Sequence, residues 1–362
     1  MENFALNLGI NRTSLGQISI CLLKEIYKRE LSPCIFPIGP IDLTTHKKDE
    51  DFNNWLTNCI QKSYSNHNRN NIIFKNWHLS GGIESFSKDQ CLFSYLETDR
   101  ATETEINVIK NQKVVFVCNE YLKNLLNAQG ADNVVYCPLG FDSESFYNIK
   151  KKCYNDNRIT FLIAGKYEQR KGHSRVIKAW LKKYGNNRNY MLHLSINNGF
   201  LSPEQNNQIL GQIFEGKQYS NVNILPLTNT NLEYNKVLNS CDIVIDMSHN
   251  ENWSLPSFQC VGIGKYAVVH NVCGIKQWAT PENSILVETN GEMIDAADGM
   301  FFNKGGPFSQ GQYFNWNEDD FINGCDKAVE RFITNPFNEA GTELSRKFTY
   351  SKSLDIILEN LK

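Results

Sequence analysis

The chain is governed by one alternation. Short runs rich in β-branched and aromatic residues, apolar on both faces, recur between longer segments whose apolar residues fall at helical spacing. The first series of runs covers residues 4–8, 72–74, 91–96, 114–118 and 134–137. Between them, Ile18, Leu22, Leu23, Ile26 and Tyr27, and later Tyr121, Leu122, Leu125 and Leu126, each line one face of a helix. A second series covers residues 159–164, 191–195, 222–225, 243–247, 267–270 and 285–287. Its first run is followed by Val176, Ile177, Trp180, Leu181 and Tyr184 at helical spacing. Strands apolar on both faces, separated by amphipathic helices, require a parallel sheet covered on both sides. The stretch 148–158 is polar, charged and without periodicity, and reads as the linker between the two series. The pattern predicts an α/β chain of two doubly wound, Rossmann-like domains, residues 1–149 and 150–345, facing a central cleft. Its 362 residues are enough for two cores. Ligands of such sheets bind beyond the carboxyl ends of the strands, so functional motifs should follow strands directly.

Charge and cysteine usage narrow the function. Lys plus Arg is 37 and Asp plus Glu is 39, a formal charge of -2, so bulk charge gives no grip on nucleic acid. An anionic ligand must be held by a local basic cluster. No run approaches the roughly 20 apolar residues of a membrane span, and residues 1–9 lack a basic, signal-like start. The eleven cysteines are scattered singly, with no Cys-x-x-Cys, which reads as buried reduced thiols in a cytoplasmic protein.

Three segments follow strands and carry chemistry. In residues 165–172, Lys166, Arg170 and Lys171 place three cations within six residues, just before a helix. A diphosphate needs fixed cations there, each charge-assisted bond contributing roughly 1.5–3 kcal/mol. A solvated basic turn has the same composition. Residues 248–259 follow a buried strand, and Pro256 fits a first helical turn begun by Ser254 or Leu255. Free N–H groups at such a start hold phosphate oxygens, with Glu251 within reach. Residues 9–17, Gly-bounded and polar, follow the first strand and open the first helix. Gly262 and Gly264 precede a strand, whereas a dinucleotide fingerprint follows one, so the order excludes the nicotinamide reading. The acids Asp49, Glu50 and Asp51 suit a solvated helix start better than a metal site. His46, His67, His78 and His173 have no metal-ligand spacing, and His78, after a strand, is retained as a minor candidate.

Taken in order, these segments resemble the retaining glycosyltransferases of the GT-B fold, most closely family four. Residues 130–142 are similar to the family's G-x-x-N-V-x-V-x-P-x-G-V-D, residues 165–172 to its basic phosphate motif, and residues 251–259 to its E-x7-E. Residues 262–274 resemble the strand that follows, and residues 347–350 with the last helix resemble its closing F-S-W helix, which crosses back to the first domain. The similarity covers most of residues 110–362.

The resemblance implies a metal-independent transfer of a sugar from a UDP- or GDP-linked donor to a glycan, lipid or other hydroxyl acceptor, with retention and no further cofactor. Residues 1–149 would be the acceptor domain, 150–345 the donor domain and 346–362 the closing helix. Lys166 and Lys171, with Arg170, would grip the diphosphate and stabilise charge on the departing nucleotide. The amides around Asn252, Trp253, Ser254 and Leu255 would assist. Glu251 would orient the donor sugar, and Gln259 stands where the family's second acid holds the ribose, without charge assistance. Gly16 would belong to a loop closing on the phosphates, and Glu97 to the sugar contacts. The family's E-G-F-G-L-P reads Glu251-Asn252-Trp253-Ser254-Leu255-Pro256 here, so two glycines are replaced. A catalytically silent sugar-nucleotide or glycan-binding protein on the same scaffold is the alternative. The loop at 303–317, irregular throughout, leaves an acceptor, a membrane surface or a partner open.

Overall fold

The computed structural model describes residues 4–150, 152–155, 157–297 and 302–362. The chain divides into two compact units, one comprising Met1–Asp142, Ala296–Gln312 and Lys347–Lys362, the other Ser143–Asp295 and Tyr313–Arg346.

The first unit is built on six strands: β1 (Phe4–Leu8), β2 (Cys34–Pro37), β3 (Ile72–Asn76), β4 (Gln90–Phe93), β5 (Val114–Val117) and β6 (Val134–Tyr136). They pair in parallel in the order β2-β1-β3-β4-β5-β6. Because β2 and β3 lie on opposite sides of β1, the sheet reverses direction there, and the loop after β1 leaves at the reversal. The strand β2 is absent from the sequence expectation. It is a four-residue edge strand ending in Pro37, a residue that edges tolerate and central strands do not.

The second unit carries β7 (Ile159–Ala164), β8 (Tyr190–Ser195), β9 (Val222–Ile224), β10 (Ile243–Asp246), β11 (Tyr266–His270) and β12 (Ile285–Val287), all parallel, in the order β12-β11-β10-β7-β8-β9. Its core gathers the fully buried Phe161, Trp180, Trp316 and Phe321 around the helix His173–Tyr184. Here the reversal falls between β7 and β10. The register pairs Ile245 with Ile163, so the loops after these strands leave the sheet side by side. The strands β13 (Met293–Asp295) and β14 (Gln312–Phe314) form a two-stranded sheet.

Two boundaries differ from the sequence reading. The units divide after Asp142, several residues before the stretch read as linker. Asparagine side chains explain this: the amides of Tyr147 and Ile149 donate to Asn235 and Asn239 at 3.3 and 2.8 Å, and Lys152 meets Asp242 at 2.6 Å. A polar stretch is thus claimed by polar partners of the second unit, which periodicity cannot reveal. Lys151 and Asp156 lie outside the described residues.

The loop read as irregular over 303–317 contains β14, and Ala296–Gln312 belongs to the first unit. It is held around the start of the helix Glu103–Lys110. Thr102 donates to the Pro307 carbonyl at 2.6 Å, the Ser309 amide donates to Glu105 at 2.8 Å, and the Gln312 amide donates to Asp99 at 2.6 Å. Burial pushes the Glu105 carboxyl up from its ordinary value.

The last helix, Tyr350–Asn360, also completes the first unit. Gly140 permits it, since any side chain there would overlap the backbone of Thr349 and Tyr350. Ser353 donates to the Pro138 carbonyl at 2.6 Å and Arg29 meets Asp355 at 2.7 Å. No described helix is long and apolar enough to cross a membrane. All eleven cysteines are thiols outside any disulfide.

Candidate active site

In the second unit, the loops after β7 and β10 bring Lys166, Arg170, Lys171 and Glu251 together. Gly165 turns the chain out of β7 at φ 118°, a conformation suited to glycine. A single helical turn, Gln169–Lys171, then presents Arg170 and Lys171. Arg170 donates to Glu251 at 2.7 Å, to the Asn250 carbonyl at 2.6 Å and to Glu168 at 2.7 Å. Lys171 pairs with Glu251, and Lys166 meets Glu168 at 3.2 Å. Arg170, Lys171, Glu168 and Glu251 are all buried, while Lys166 keeps a third of its side chain exposed and lies 5.2 Å from the ring of Phe200.

The sequence reading treated the three cations as waiting for an anion. The structure shows each already paired with a carboxylate. It also adds two acids that the reading missed, Glu168 and Asp246. Burial alone would raise the Glu168 carboxyl, but Arg170, Lys166 and Lys171 together hold it below its ordinary value. Burial likewise opposes ionisation of Asp246. The charge of Lys171 and hydrogen bonds from Ser248, Ser254 and Ser257 outweigh it and bring the pKa down to about 2. Burial would lower Lys171, and Glu251 and Asp246 more than reverse that, so its ammonium is held above the ordinary value. Three cations therefore face three carboxylates.

The loop after β10 is braced on every side. The His249 amide donates to the Arg170 carbonyl at 2.8 Å, and the imidazoles of His249 and His270 contact the carbonyls of Phe314 and Ser248 at 2.8 and 2.9 Å. The Gly274 amide donates to the Glu251 carbonyl at 2.8 Å, and the Trp278 indole to the Trp253 carbonyl at 2.7 Å. The helix Leu255–Gly262 starts from Ser254, with Pro256 in its first turn. Gln259 lies buried one turn in. Ser254 adopts φ 60°, and its hydroxyl does not cap the helix. Burial, reinforced by the nearby Lys171 charge, brings the His173 pKa down to about 3, so this ring is neutral.

Gly16, His78 and Glu97 belong to the first unit, beyond the carboxyl ends of the neighbouring strands β1, β3 and β4. Gly16 lies in the first turn of the helix Ser14–Lys28, against Asn11, where any Cβ would strike backbone. Asn76 donates to the Leu15 carbonyl at 3.2 Å and to Ser19 at 3.0 Å, which fixes this helix start on β3. His78 is exposed and its ring is 5.7 Å from that of Trp77, while Glu97 is half-buried. Asp49 caps the helix Glu50–Asn66 by accepting from the Phe52 amide at 3.0 Å. Among the described residues no three His, Cys, Asp or Glu side chains converge as a metal site would require.

Two six-stranded parallel sheets with flanking helices define a two-domain α/β fold, that of the GT-B glycosyltransferases. Among solved structures, the chain is similar to a sucrose-phosphate synthase from Thermosynechococcus elongatus, with a TM-score of 0.69 at 12% identity over 100% of this chain and 98% of that one. It is similar to Anabaena HepE in complex with UDP-glucose, with a TM-score of 0.68 at 14% identity over 99% of both chains. It is also similar to the catalytic domain of starch synthase IV from Arabidopsis thaliana bound to ADP and acarbose, with a TM-score of 0.63 at 10% identity over 100% of this chain and 99% of that one. The chain matches no protein-family model and, by sequence, none of the curated proteins.

Proposed function

We propose that the chain is a retaining, metal-independent glycosyltransferase of the family-four kind, moving a sugar from a UDP- or GDP-linked donor to a hydroxyl of a glycan, lipid or other acceptor. The observation that carries this reading is the buried pairing of Lys171 with Glu251 at the β7–β10 reversal, where doubly wound sheets take their ligands. In this reading Lys166, Arg170 and Lys171 exchange their carboxylates for the donor diphosphate. As the bond to the anomeric carbon breaks, charge grows on the leaving phosphate, and Lys171 with the first amides of the helix Leu255–Gly262 stabilises it. The cations and the helix start do the work a metal would otherwise do. Glu251, released from Lys171, accepts hydrogen bonds from the donor sugar and fixes its anomeric carbon. The departing phosphate takes the acceptor proton on the same face, which preserves configuration. Gln259 offers its amide to the ribose hydroxyls. Acceptor recognition falls to the first unit, where His78 and Glu97 follow β3 and β4. The free thiols suit a reducing, cytoplasmic setting.

A catalytically silent nucleotide-sugar-binding protein is the second reading. It is favoured by the complete pairing of the three cations and by Asn252, Ser254 and Gln259 at the positions where the family carries two glycines and an acid. A thermal-shift series with UDP- and GDP-sugars, followed by an assay for nucleoside diphosphate release, separates the two. A ligand at a hundred times its Kd adds about 2.7 kcal/mol of stability. Stabilisation with release supports the enzyme, stabilisation without release supports the binding protein, and no stabilisation by any donor defeats both.

A further inference from the structure

Ser254 holds a backbone conformation, φ 60° and ψ 79°, that residues other than glycine rarely adopt. Its hydroxyl, placed where a helix-capping residue normally accepts from the first turn, turns the other way and donates to Asp246. Ser257, one turn into the helix, donates to the same carboxylate at 2.9 Å. Ser248, at the start of the loop, donates to its other oxygen at 2.5 Å, and the Ser248 amide reaches that oxygen at 3.2 Å. Asp246 ends β10, and the charge of Lys171 helps to hold it ionised. One buried carboxylate thus gathers both ends of the loop and the first helical turn.

We propose that Asp246 is a positioning residue. By anchoring Ser248, Ser254 and Ser257 it fixes Ser254 in the left-handed conformation and sets the amides of the first helical turn, uncapped by the Ser254 side chain, at the diphosphate site. Asp246 does for this chain what a glycine at 254 would do unaided. The amide of Leu255 precedes the first intrahelical bond, while the Phe258 amide already donates to the Ser254 carbonyl at 3.0 Å. Pro256 carries no N–H, so the anchored geometry decides where the two first-turn donors, the amides of Leu255 and Ser257, point. This inference rests on the nucleotide-diphosphate reading above and deepens it.

The test uses the full chain and isothermal titration with UDP, GDP, uridine and guanosine. Asp246→Asn keeps the side chain's shape and removes its charge. It is expected to weaken diphosphate binding roughly tenfold or more, the scale of a lost charge-assisted bond, with nucleoside affinity unchanged. Adding Ser254→Gly to Asp246→Asn is expected to restore diphosphate affinity, because glycine takes φ 60° without an anchor. Equal losses for nucleoside and diphosphate, or no recovery on adding glycine, overturn the proposal. Should Asp246→Asn fail to fold, Ser254→Ala against Ser254→Gly decides: alanine weakens diphosphate binding and glycine preserves it, and identical behaviour overturns the inference. A wild-type chain that binds neither UDP nor GDP defeats the parent reading, and this one with it. Wild-type binding with an indifferent Asp246→Asn defeats only this one.

Discussion

Gly274 lies against the peptide group of Asn252, so close that a Cβ at Gly274 would overlap the Asn252 carbonyl. Its own amide donates to the carbonyl of Glu251 at 2.8 Å. The loop that carries Glu251 is therefore seated on a glycine surface. Gly274→Ala forces rigid backbone apart and is expected to destabilise the chain by about 1–3 kcal/mol, the range for overpacking. Urea unfolding reads the change. An unchanged midpoint would mean that the loop is not seated as described.

Lys171 is the cation that faces both Glu251 and Asp246. Lys171→Ala is expected to lower turnover roughly ten- to a thousandfold, the scale for losing one transition-state donor. Thermal unfolding of the same variant separates lost chemistry from lost structure. Turnover at the wild-type level in a folded variant counts against the glycosyltransferase reading.

Glu168 competes for the cations a diphosphate would need, meeting Lys166 at 3.2 Å and Arg170 at 2.7 Å. Glu168→Gln keeps the side chain's shape but frees charge for the ligand. Affinity for UDP or GDP is expected to rise roughly tenfold and to become more sensitive to salt. Weaker binding in this variant would show that Glu168 supports the grip instead of competing for it.

The buried histidines set the response to acid. Burial, with the Lys171 charge next in effect, takes His173 to about 3, and burial takes His270 to about 4, each from 6.5. Both folded values are depressed, so between these values and 6.5 the unfolded chain binds the extra protons. Their contribution to stability is complete above pH 6.5 and is lost as pH falls, by about 1.4 kcal/mol per pH unit for each histidine. Asp246 adds its own loss only below about pH 4, down to its folded value of about 2. Denaturant unfolding at pH 7.5, 6.5 and 5.5 is expected to show a slight drop at pH 6.5 and a clearly larger one at pH 5.5. His270→Asn should reduce that drop, and a profile flat to pH 5 would contradict the neutral rings.

Much of this was legible in the residues. The strands β1, β7 and β12 fall where the apolar runs do, and the basic loop follows β7 as doubly wound logic requires. The partners of those cations were not legible. Glu168 reads as one more charge in a charged turn, and only folding sets it between Lys166 and Arg170. Asp246 reads as the polar end of a strand. Its convergence with Ser248, Ser254 and Ser257 depends on the left-handed turn at Ser254, which no propensity assigns to serine. The one available signal was three hydroxyl residues spaced within eleven positions of an acid that ends a buried strand. The edge strand β2 and the anchoring of Tyr147, Ile149 and Lys152 were missed for a related reason, since their partners lie far away in the sequence.

The first unit is assembled from three separate stretches, and the last of them follows the whole of the second unit. Gly140 and Pro138 stay without their partners Tyr350 and Ser353 until those residues have been synthesised. Ribosomal emergence is therefore out of step with completion: the earlier-made unit finishes last, and the later-made one closes before it. Loss of the helix Tyr350–Asn360 should therefore injure the first unit, not the second that it directly follows, and no single proteolytic cut can release either unit whole.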